Sequence, residues 1–133
     1  MLATAAIIVK PVNTEVTAGS STFLNCSTSL AKYVNWYYYP AGPQVSGANY
    51  VYYYGQLFGN YKDRFQLYKN ENSGSYDIFI PNVELSDAGV YACQDDEGNG
   101  ETVSAELIVL GLSFYKQSLL SSKLHRLCSK FSP

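Results

Sequence analysis

The chain has 133 residues, of which 47% are hydrophobic and 15% are charged, and its formal net charge at pH 7 is −2. This composition excludes a disordered chain and predicts one domain with a buried core. The small negative charge argues against a general nucleic-acid-binding protein, which needs a basic surface. No uninterrupted apolar run is long enough to cross a membrane as a helix.

The body of the chain consists of short segments in which apolar and polar residues alternate, separated by turn-forming residues. Alternation with period two indicates half-buried β-strands, and the run Glu-Gly-Asn-Gly at 97–100 favours a hairpin between the last two strands. No segment of the body has a convincing helical period, so the predicted fold class is all-β, as a two-sheet sandwich. The predicted strands are 5–9, 15–17, 22–28, 33–39, 50–54, 64–68, 76–80, 90–95 and 102–110.

The charge is distributed unevenly along the chain. Residues 1–111 contain five basic residues and all eleven acidic residues, for a net charge of −6, whereas residues 112–133 contain four basic residues and no acid, for +4. The sequence therefore predicts a domain over 1–111 and a basic tail over 112–133. The apolar start, 1–9, lacks the basic leader and cleavage pattern of a signal peptide, and we interpret it as part of the first strand.

Four apolar residues recur at helical spacing in the basic tail, with basic residues between them. This pattern favours a short amphipathic helix that docks on the body or on a partner. A frayed extension, or an end added by splicing or expression, explains the tail equally well. The apolar residues are Leu120, Leu124, Leu127 and Phe131.

Three cysteines are present, two in the body (Cys26 and Cys93) and one in the basic tail (Cys128). The count fits one structural disulfide and one odd thiol. A disulfide indicates that the body resides in an oxidising compartment. The thiol of Cys128 is then either free or part of an intermolecular disulfide.

Several residues around the two body cysteines stand at characteristic intervals. Cys26 and Cys93 are 67 positions apart, and Trp36 follows Cys26 by ten residues. Tyr91 precedes Cys93 by two residues, within the run LSDAGVYAC at 85–93. With this arrangement the sequence resembles an immunoglobulin-superfamily domain of the variable (V-set) type over roughly 5–110. We favour a germline-encoded domain of the early-chordate variable–joining kind.

The resemblance implies structural rather than catalytic roles for six residues. A disulfide would join the two sheets, an indole would pack on it, and a tyrosine hydroxyl would bond to the backbone near 85–87. An arginine would form a bidentate ion pair at one end of the sandwich. These roles fall to the disulfide Cys26–Cys93, the core residues Trp36 and Tyr91, and the salt bridge Arg64–Asp87.

Strand alternation also predicts which side chains face away from the core. The outward set of one sheet is rich in tyrosine and nearly free of charge, as is the centre of a protein–protein interface. The alternative is that tyrosine is simply a good strand residue that covers the sheet edge. The predicted partner-binding residues are Tyr33, Asn35, Tyr37, Tyr39, Tyr50, Tyr52, Tyr54 and Gln94.

Other sequence features give weaker signals. Asn25-Cys26-Ser27 is a glycosylation sequon with Asn25 facing outward. The acidic turn 94–101 is interpreted as a solvated hairpin tip, because it lacks the ligand spacing of a calcium loop. His125 is the only histidine, and no nucleophile, zinc cluster or phosphate-binding loop is recognisable. We therefore predict no catalysis, no metal and no cofactor.

Together these features predict a secreted or cell-surface domain for adhesion or immune-type recognition. It would bind protein partners, including itself as a homodimer, through the tyrosine-rich face of one sheet. The alternative is an innate receptor domain that binds a microbial or carbohydrate ligand through its loops as a monomer.

Overall fold

The computed structural model of the chain describes residues 7–29, 34–95 and 100–111. Predictions made for Tyr33, for Cys128, for the 96–99 part of the acidic turn and for the basic tail lie outside the described residues.

Strands dominate the described residues and follow the predicted order closely. A short helix, α1 (Tyr61–Arg64), and a 3-10 turn (Leu85–Asp87) interrupt them. The strands are β1 (Ile7–Val9), β2 (Thr14–Thr17), β3 (Thr22–Leu24), β4 (Ser27–Thr28), β5 (Val34–Tyr39), β6 (Asn49–Tyr53), β7 (Gln56–Leu57), β8 (Gln66–Asn70), β9 (Ser75–Ile80), β10 (Gly89–Asp95) and β11 (Thr102–Leu110).

The strands form two sheets. The first has the order β1-β4-β9-β3, with β8 also paired to β9, and the second has the order β2-β11-β10-β5-β6-β7. All the pairings are antiparallel except that of β2 with β11, which is parallel. The chain therefore crosses between the sheets several times, as in a Greek-key sandwich.

Alternating side chains build the core between the sheets. In β9, Tyr76, Ile78 and Ile80 point inward and are buried, whereas the residues between them are partly exposed. Trp36 of β5 is fully buried, and its indole Nε1–H donates a 2.8 Å hydrogen bond to the carbonyl oxygen of Tyr76. Because this bond satisfies the one polar atom of the indole, the ring packs in the apolar interior without an unpaired donor.

A disulfide joins the two sheets. Cys26 follows β3 in the first sheet and Cys93 lies in β10 of the second, with their Cα atoms 6.5 Å apart. Both half-cystines are fully buried beside the core. The structure thus confirms the predicted disulfide and the predicted immunoglobulin-type sandwich.

One end of the sandwich is fixed by Arg64 and Asp87. The two terminal guanidinium nitrogens of Arg64 donate hydrogen bonds of 2.8 and 2.6 Å to the carboxylate oxygens of Asp87. The buried carboxylate also accepts from the backbone N–H of Glu84, and the Tyr91 hydroxyl donates to the Asp87 carbonyl oxygen at 2.7 Å. The hydrogen bond to Asp87 raises the pKa of Arg64, so the guanidinium remains a cation. Asp87 thereby connects α1, the 3-10 turn and β10.

The segment before β8 differs from the prediction. Residues Tyr61–Arg64 form one helical turn, and Phe65 returns to an extended conformation, so the strand begins at Gln66 rather than at Arg64. The backbone N–H of Phe65 closes this turn on the carbonyl oxygen of Tyr61 at 2.8 Å. The turn points the Arg64 side chain back toward Asp87.

Gly89 is required where β10 passes β5. Its φ of 147° lies in a region that favours glycine. A Cβ atom here would lie 2.7 Å from Cε2 of Tyr38 and 2.8 Å from the carbonyl oxygen of Tyr39. The glycine in the run 85–93 therefore permits the close approach of the two central strands.

Candidate interaction surface

Four aromatic side chains cluster on the outer face of the second sheet. We call Tyr37, Tyr50, Tyr53 and Phe58 the tyrosine surface. The rings of Tyr50 and Tyr53 are stacked, with centroids 4.5 Å apart and an interplanar angle of 7°. The ring centroid of Tyr50 lies 5.6 Å from that of Tyr37 and 6.0 Å from that of Phe58. Tyr50 is thus the centre of the cluster.

A hydrogen bond between strands holds Tyr37 in place. Its hydroxyl donates to Oε1 of Gln94 at 2.8 Å, from β5 to β10. The partly exposed outward residues of these two strands carry no charged side chain; they are Tyr37, Tyr39, Val90 and Gln94. The centre of the sheet therefore presents a neutral surface of ordered aromatic rings.

The prediction that Tyr52 faces outward is wrong. Tyr52 is 3% exposed and lies on the core side, with its ring centroid 6.4 Å from that of Tyr76. The reason is a β-bulge: Trp36 pairs with Tyr52, but the next residue of β5 pairs with Tyr50. Because the bulge inserts an extra residue into β6, the alternation shifts after Tyr50. Tyr53, expected to point inward, consequently joins the tyrosine surface.

The prediction that Asn35 is a surface contact residue is also wrong. Asn35 is 1% exposed, and among the described residues neither its Nδ2 nor its Oδ1 has a hydrogen-bond partner. It lies opposite Gln94 in the ladder between β5 and β10. Strand alternation fixes the face to which a side chain points, but it does not fix whether the surrounding structure covers that position.

The unpaired amide of Asn35 makes a prediction about stability. Replacing Asn35 with valine should raise the free energy of unfolding by about 1–2 kcal/mol, since a buried unsatisfied polar group costs about 1–3 kcal/mol. Chemical denaturation measures the change. Asn49→Val is the matched control, because Asn49 is an exposed strand residue. A loss of stability specific to Asn35→Val would show that the amide is satisfied in solution.

The remaining predicted contact residues differ in their exposure. Tyr54 is 77% exposed at the tip of the β6–β7 hairpin, where positive φ angles at Tyr54 and Gly55 form the tight turn. Tyr39 and Gln94 are partly exposed. Tyr54 can thus extend the tyrosine surface at one edge, whereas Gln94 mainly supports Tyr37.

Three tyrosines below the surface are held in their neutral form. Burial, helped by the nearby negative charge of Asp87, raises the pKa of Tyr38 and of Tyr91. Burial and the neighbouring Tyr38 raise the pKa of Tyr61, although Arg64 opposes the shift. These phenols therefore act as hydrogen-bond donors, as Tyr38 does toward the carbonyl oxygens of Ser86 and Ala88.

Comparison with known proteins identifies the family. Residues 9–110 match the immunoglobulin V-set domain family. The chain belongs to this family. No curated protein matches the chain significantly. V-set domains are generally recognition domains rather than enzymes.

Solved structures share the fold of this V-set domain. A RIG-5 IG1 homodimer is 17% identical, with a TM-score of 0.65, over 80% of this chain and 98% of that chain. Dpr1 IG1 bound to DIP-eta IG1 is 20% identical, with a TM-score of 0.61, over 80% and 97%. An I-band fragment of titin is 21% identical, with a TM-score of 0.58, over 84% of this chain and 34% of that chain.

Sequence reasoning missed two members of the tyrosine surface of this V-set domain. Strand alternation alone places Tyr53 on the inner face, because it does not account for the bulge. Three consecutive tyrosines before Gly55 are the one signal in the sequence that could have indicated a break in the alternation. Phe58 lies between β7 and α1, and its backbone N–H donates to the Val51 carbonyl oxygen at 3.0 Å. That contact brings Phe58 beside β6, and no sequence pattern predicts it.

The sequon is only partly accessible in the folded V-set domain. Asn25 is exposed, but Ser27 is buried and its hydroxyl oxygen lies 3.1 Å from that of Ser75. The backbone N–H of Cys26, between them, donates to Asp77. Glycosylation of Asn25 therefore remains a prediction.

Two other kinds of site are absent from the described residues. Within the described part of the chain, no three His, Cys, Asp or Glu side chains are grouped so that they could hold a metal ion. No helix in the same residues is sufficiently long and apolar to cross a membrane.

Proposed function

We propose that this V-set domain recognises proteins, including a second copy of itself, through the tyrosine surface, and that it does so in a secreted or cell-surface protein. The observation that carries the proposal is the stacked, neutral aromatic cluster around Tyr50. Tyrosine is enriched and charge is depleted at the centres of protein interfaces.

The order of the rings favours binding. The ring of Tyr50 contacts the rings of Tyr37 and Tyr53, and Tyr37 is held by its hydrogen bond to Gln94. Side chains that are already ordered lose little rotamer entropy when a partner covers them, which lowers the cost of association.

The structural neighbours and the disulfide support this assignment. RIG-5 IG1 is a homodimer and Dpr1 IG1 is bound to DIP-eta IG1, so domains of this fold pair with copies and with relatives. The buried disulfide Cys26–Cys93 is typical of an oxidising, extracellular environment.

Self-association makes the first functional prediction. The domain should form a dimer at micromolar concentrations, and Tyr50→Asp should weaken it about 30-fold, because a central contact residue is worth about 2 kcal/mol. Sedimentation equilibrium measures the dissociation constant. Tyr50 is half-exposed, so the substitution should leave the folded domain intact.

The matched control is Val12→Asp. Val12 is an exposed apolar residue in the segment before β2, outside the tyrosine surface, and its substitution should leave the dimer unchanged. A monomer at all concentrations would refute self-association, and equal weakening by the two variants would refute the assignment of the interface.

A second candidate function, carbohydrate binding by a monomer, is favoured by a cleft beside the same surface. The cleft is lined by the rings of Tyr50, Phe58 and Tyr61 and by Asn49 and Asn60. Aromatic rings offer flat apolar contacts, and amides can bond to sugar hydroxyls. Glycan-array binding that is lost in Asn60→Ala, by a domain that stays monomeric, would favour this function over protein recognition.

A further inference from the structure

A second aromatic cluster lies on the opposite side of the molecule, on the outer face of the first sheet. We call Phe23, Tyr68 and Phe79 the aromatic patch. Phe23 and Phe79 lie directly opposite each other in β3 and β9, with ring centroids 4.5 Å apart. Tyr68 of β8 lies 5.5 Å from Phe23 and 5.9 Å from Phe79.

The aromatic patch makes no contribution to the core. Phe23 is 47% exposed and Tyr68 is 49% exposed, whereas Leu24, the inward-facing neighbour of Phe23, is buried. Three large rings in contact on one outer face form an apolar area that commonly has an occupant. Asp77, which lies opposite Tyr68 in the ladder between β8 and β9, places a carboxylate beside the rings, so the occupant should be apolar where it touches the rings and can carry basic residues next to them.

We propose that the occupant is the basic tail of the same chain, 112–133, which docks its apolar residues on the aromatic patch. The path of the chain supports this. At the end of β11, the Leu110 carbonyl oxygen accepts a 2.7 Å hydrogen bond from Ala18, and the next residue, Gly19, donates to Val83. Here the chain passes from β2 in the second sheet to β3 in the first, so the tail leaves the domain at the corner nearest to Phe23.

Distances along the strands favour the aromatic patch over the tyrosine surface. From Ala18, whose N–H bonds to the Leu110 carbonyl oxygen, Phe23 is five residues along the chain, or about 16 Å at 3.3 Å per residue. Reaching Tyr37 instead requires about 20 Å along β11 to Ser104 and two further strand spacings of about 4.8 Å. The aromatic patch is therefore the nearer of the two apolar surfaces.

The length and pattern of the tail fit the aromatic patch. Eight residues separate Gly111 from Leu120, enough to span the distance from the corner. The four apolar residues of the tail recur at intervals of three or four from Leu120 to Phe131, the spacing that is typical of one face of a helix. The tail carries +4 against −6 for the body, so long-range attraction favours the docked state.

Paramagnetic relaxation in the full-length chain tests the docking. Cys128 is the thiol left outside the Cys26–Cys93 disulfide, so a nitroxide label can be attached to it selectively. We expect amide signals around Phe23, Tyr68 and Phe79 to lose most of their intensity, while those of Tyr37 and Tyr50 keep theirs. Broadening of the tyrosine surface instead, or of no signal in the body, would overturn the proposal.

Variants in the tail separate apolar docking from charge attraction. Leu124→Ser with Leu127→Ser should abolish the broadening, whereas the matched pair Lys123→Ser with Lys130→Ser should preserve most of it. The reverse pattern would contradict apolar docking. Neither pair alters the sandwich, so the remaining spectrum reports a folded domain.

Mixing isotopes distinguishes the tail from a second molecule. The mixture contains nitroxide-labelled protein without nitrogen-15 and nitrogen-15 protein without a nitroxide. Intramolecular docking predicts that the amide signals around Phe23, Tyr68 and Phe79 are not broadened in this mixture. Broadening that persists in the mixture would mean that a tail of another copy occupies the aromatic patch, and the proposal would fail. Phe23→Thr with Tyr68→Thr should release the tail in the single-species sample.

Discussion

Replacing both Cys26 and Cys93 with alanine should lower the free energy of unfolding of the domain by about 2–5 kcal/mol. The disulfide closes a loop of 67 residues and joins the two sheets beside Trp36. Without it the unfolded chain gains conformational freedom, and the folded core also loses two buried sulfur atoms. Such a loss is a large part of the 5–15 kcal/mol that usually stabilises a domain.

Urea denaturation followed by Trp36 fluorescence measures this change, because the single tryptophan is fully buried in the folded state. Cys128→Ser is the control and should leave the transition midpoint unchanged, since Cys128 is outside the disulfide. Equal midpoints for the double variant and the natural sequence would mean that the disulfide does not stabilise the sandwich.

Removal of the Arg64 side chain should have the second-largest effect. We expect Arg64→Met to cost about 2–4 kcal/mol, because it leaves the Asp87 carboxylate buried without its cation. Asp87 is 4% exposed and would keep only its bond from the backbone of Glu84. The cost should be lower than for a fully buried pair, since the Arg64 side chain is 27% exposed.

An exposed ion pair provides the control for Arg64. Nζ of Lys69 lies 3.1 Å from Oε1 of Glu71 at the surface, and Lys69→Met should change stability by less than about 0.5 kcal/mol. Thermal or chemical unfolding of both variants measures the difference. Similar losses of stability for the two variants would show that burial of Asp87 does not determine how much the Arg64–Asp87 ion pair contributes.

The two sheets present different outer surfaces. The tyrosine surface of the second sheet is ordered by stacking and by the bond to Gln94, which suits recognition of a partner. The aromatic patch of the first sheet lies close to the point where the described chain ends. If the basic tail covers this patch, the tyrosine surface stays free for other molecules.

Much of the scaffold could be predicted from the sequence because its signals are local or stand at fixed intervals. Period-two alternation predicts strands such as β9, since one face of a sheet must be apolar. The roles of Trp36 and Tyr91 follow from the resemblance to V-set domains, in which an indole packs on the disulfide and a tyrosine hydroxyl bonds to the backbone. A glycine is needed at position 89 because β5 and β10 approach each other too closely there for a Cβ atom.

The residues that form the tyrosine surface were harder to predict. Tyr52 and Tyr53 exchange faces because the extra residue of the bulge depends on how β6 pairs with β5. Phe58 joins the surface through a backbone contact with Val51 that no sequence period encodes. Asn35 has the expected strand position, but its burial depends on what surrounds it.

The sequence by itself determined the all-β sandwich, because strand alternation is a local signal, and its resemblance to V-set domains implied the disulfide and the Arg64–Asp87 ion pair. The tertiary structure alone decided which tyrosines reach the surface, and it brought Phe23, Tyr68 and Phe79 together from three strands. The physical reason is that hydrogen bonding between strands sets their register, and a shift of one residue moves a side chain from one face of the sheet to the other.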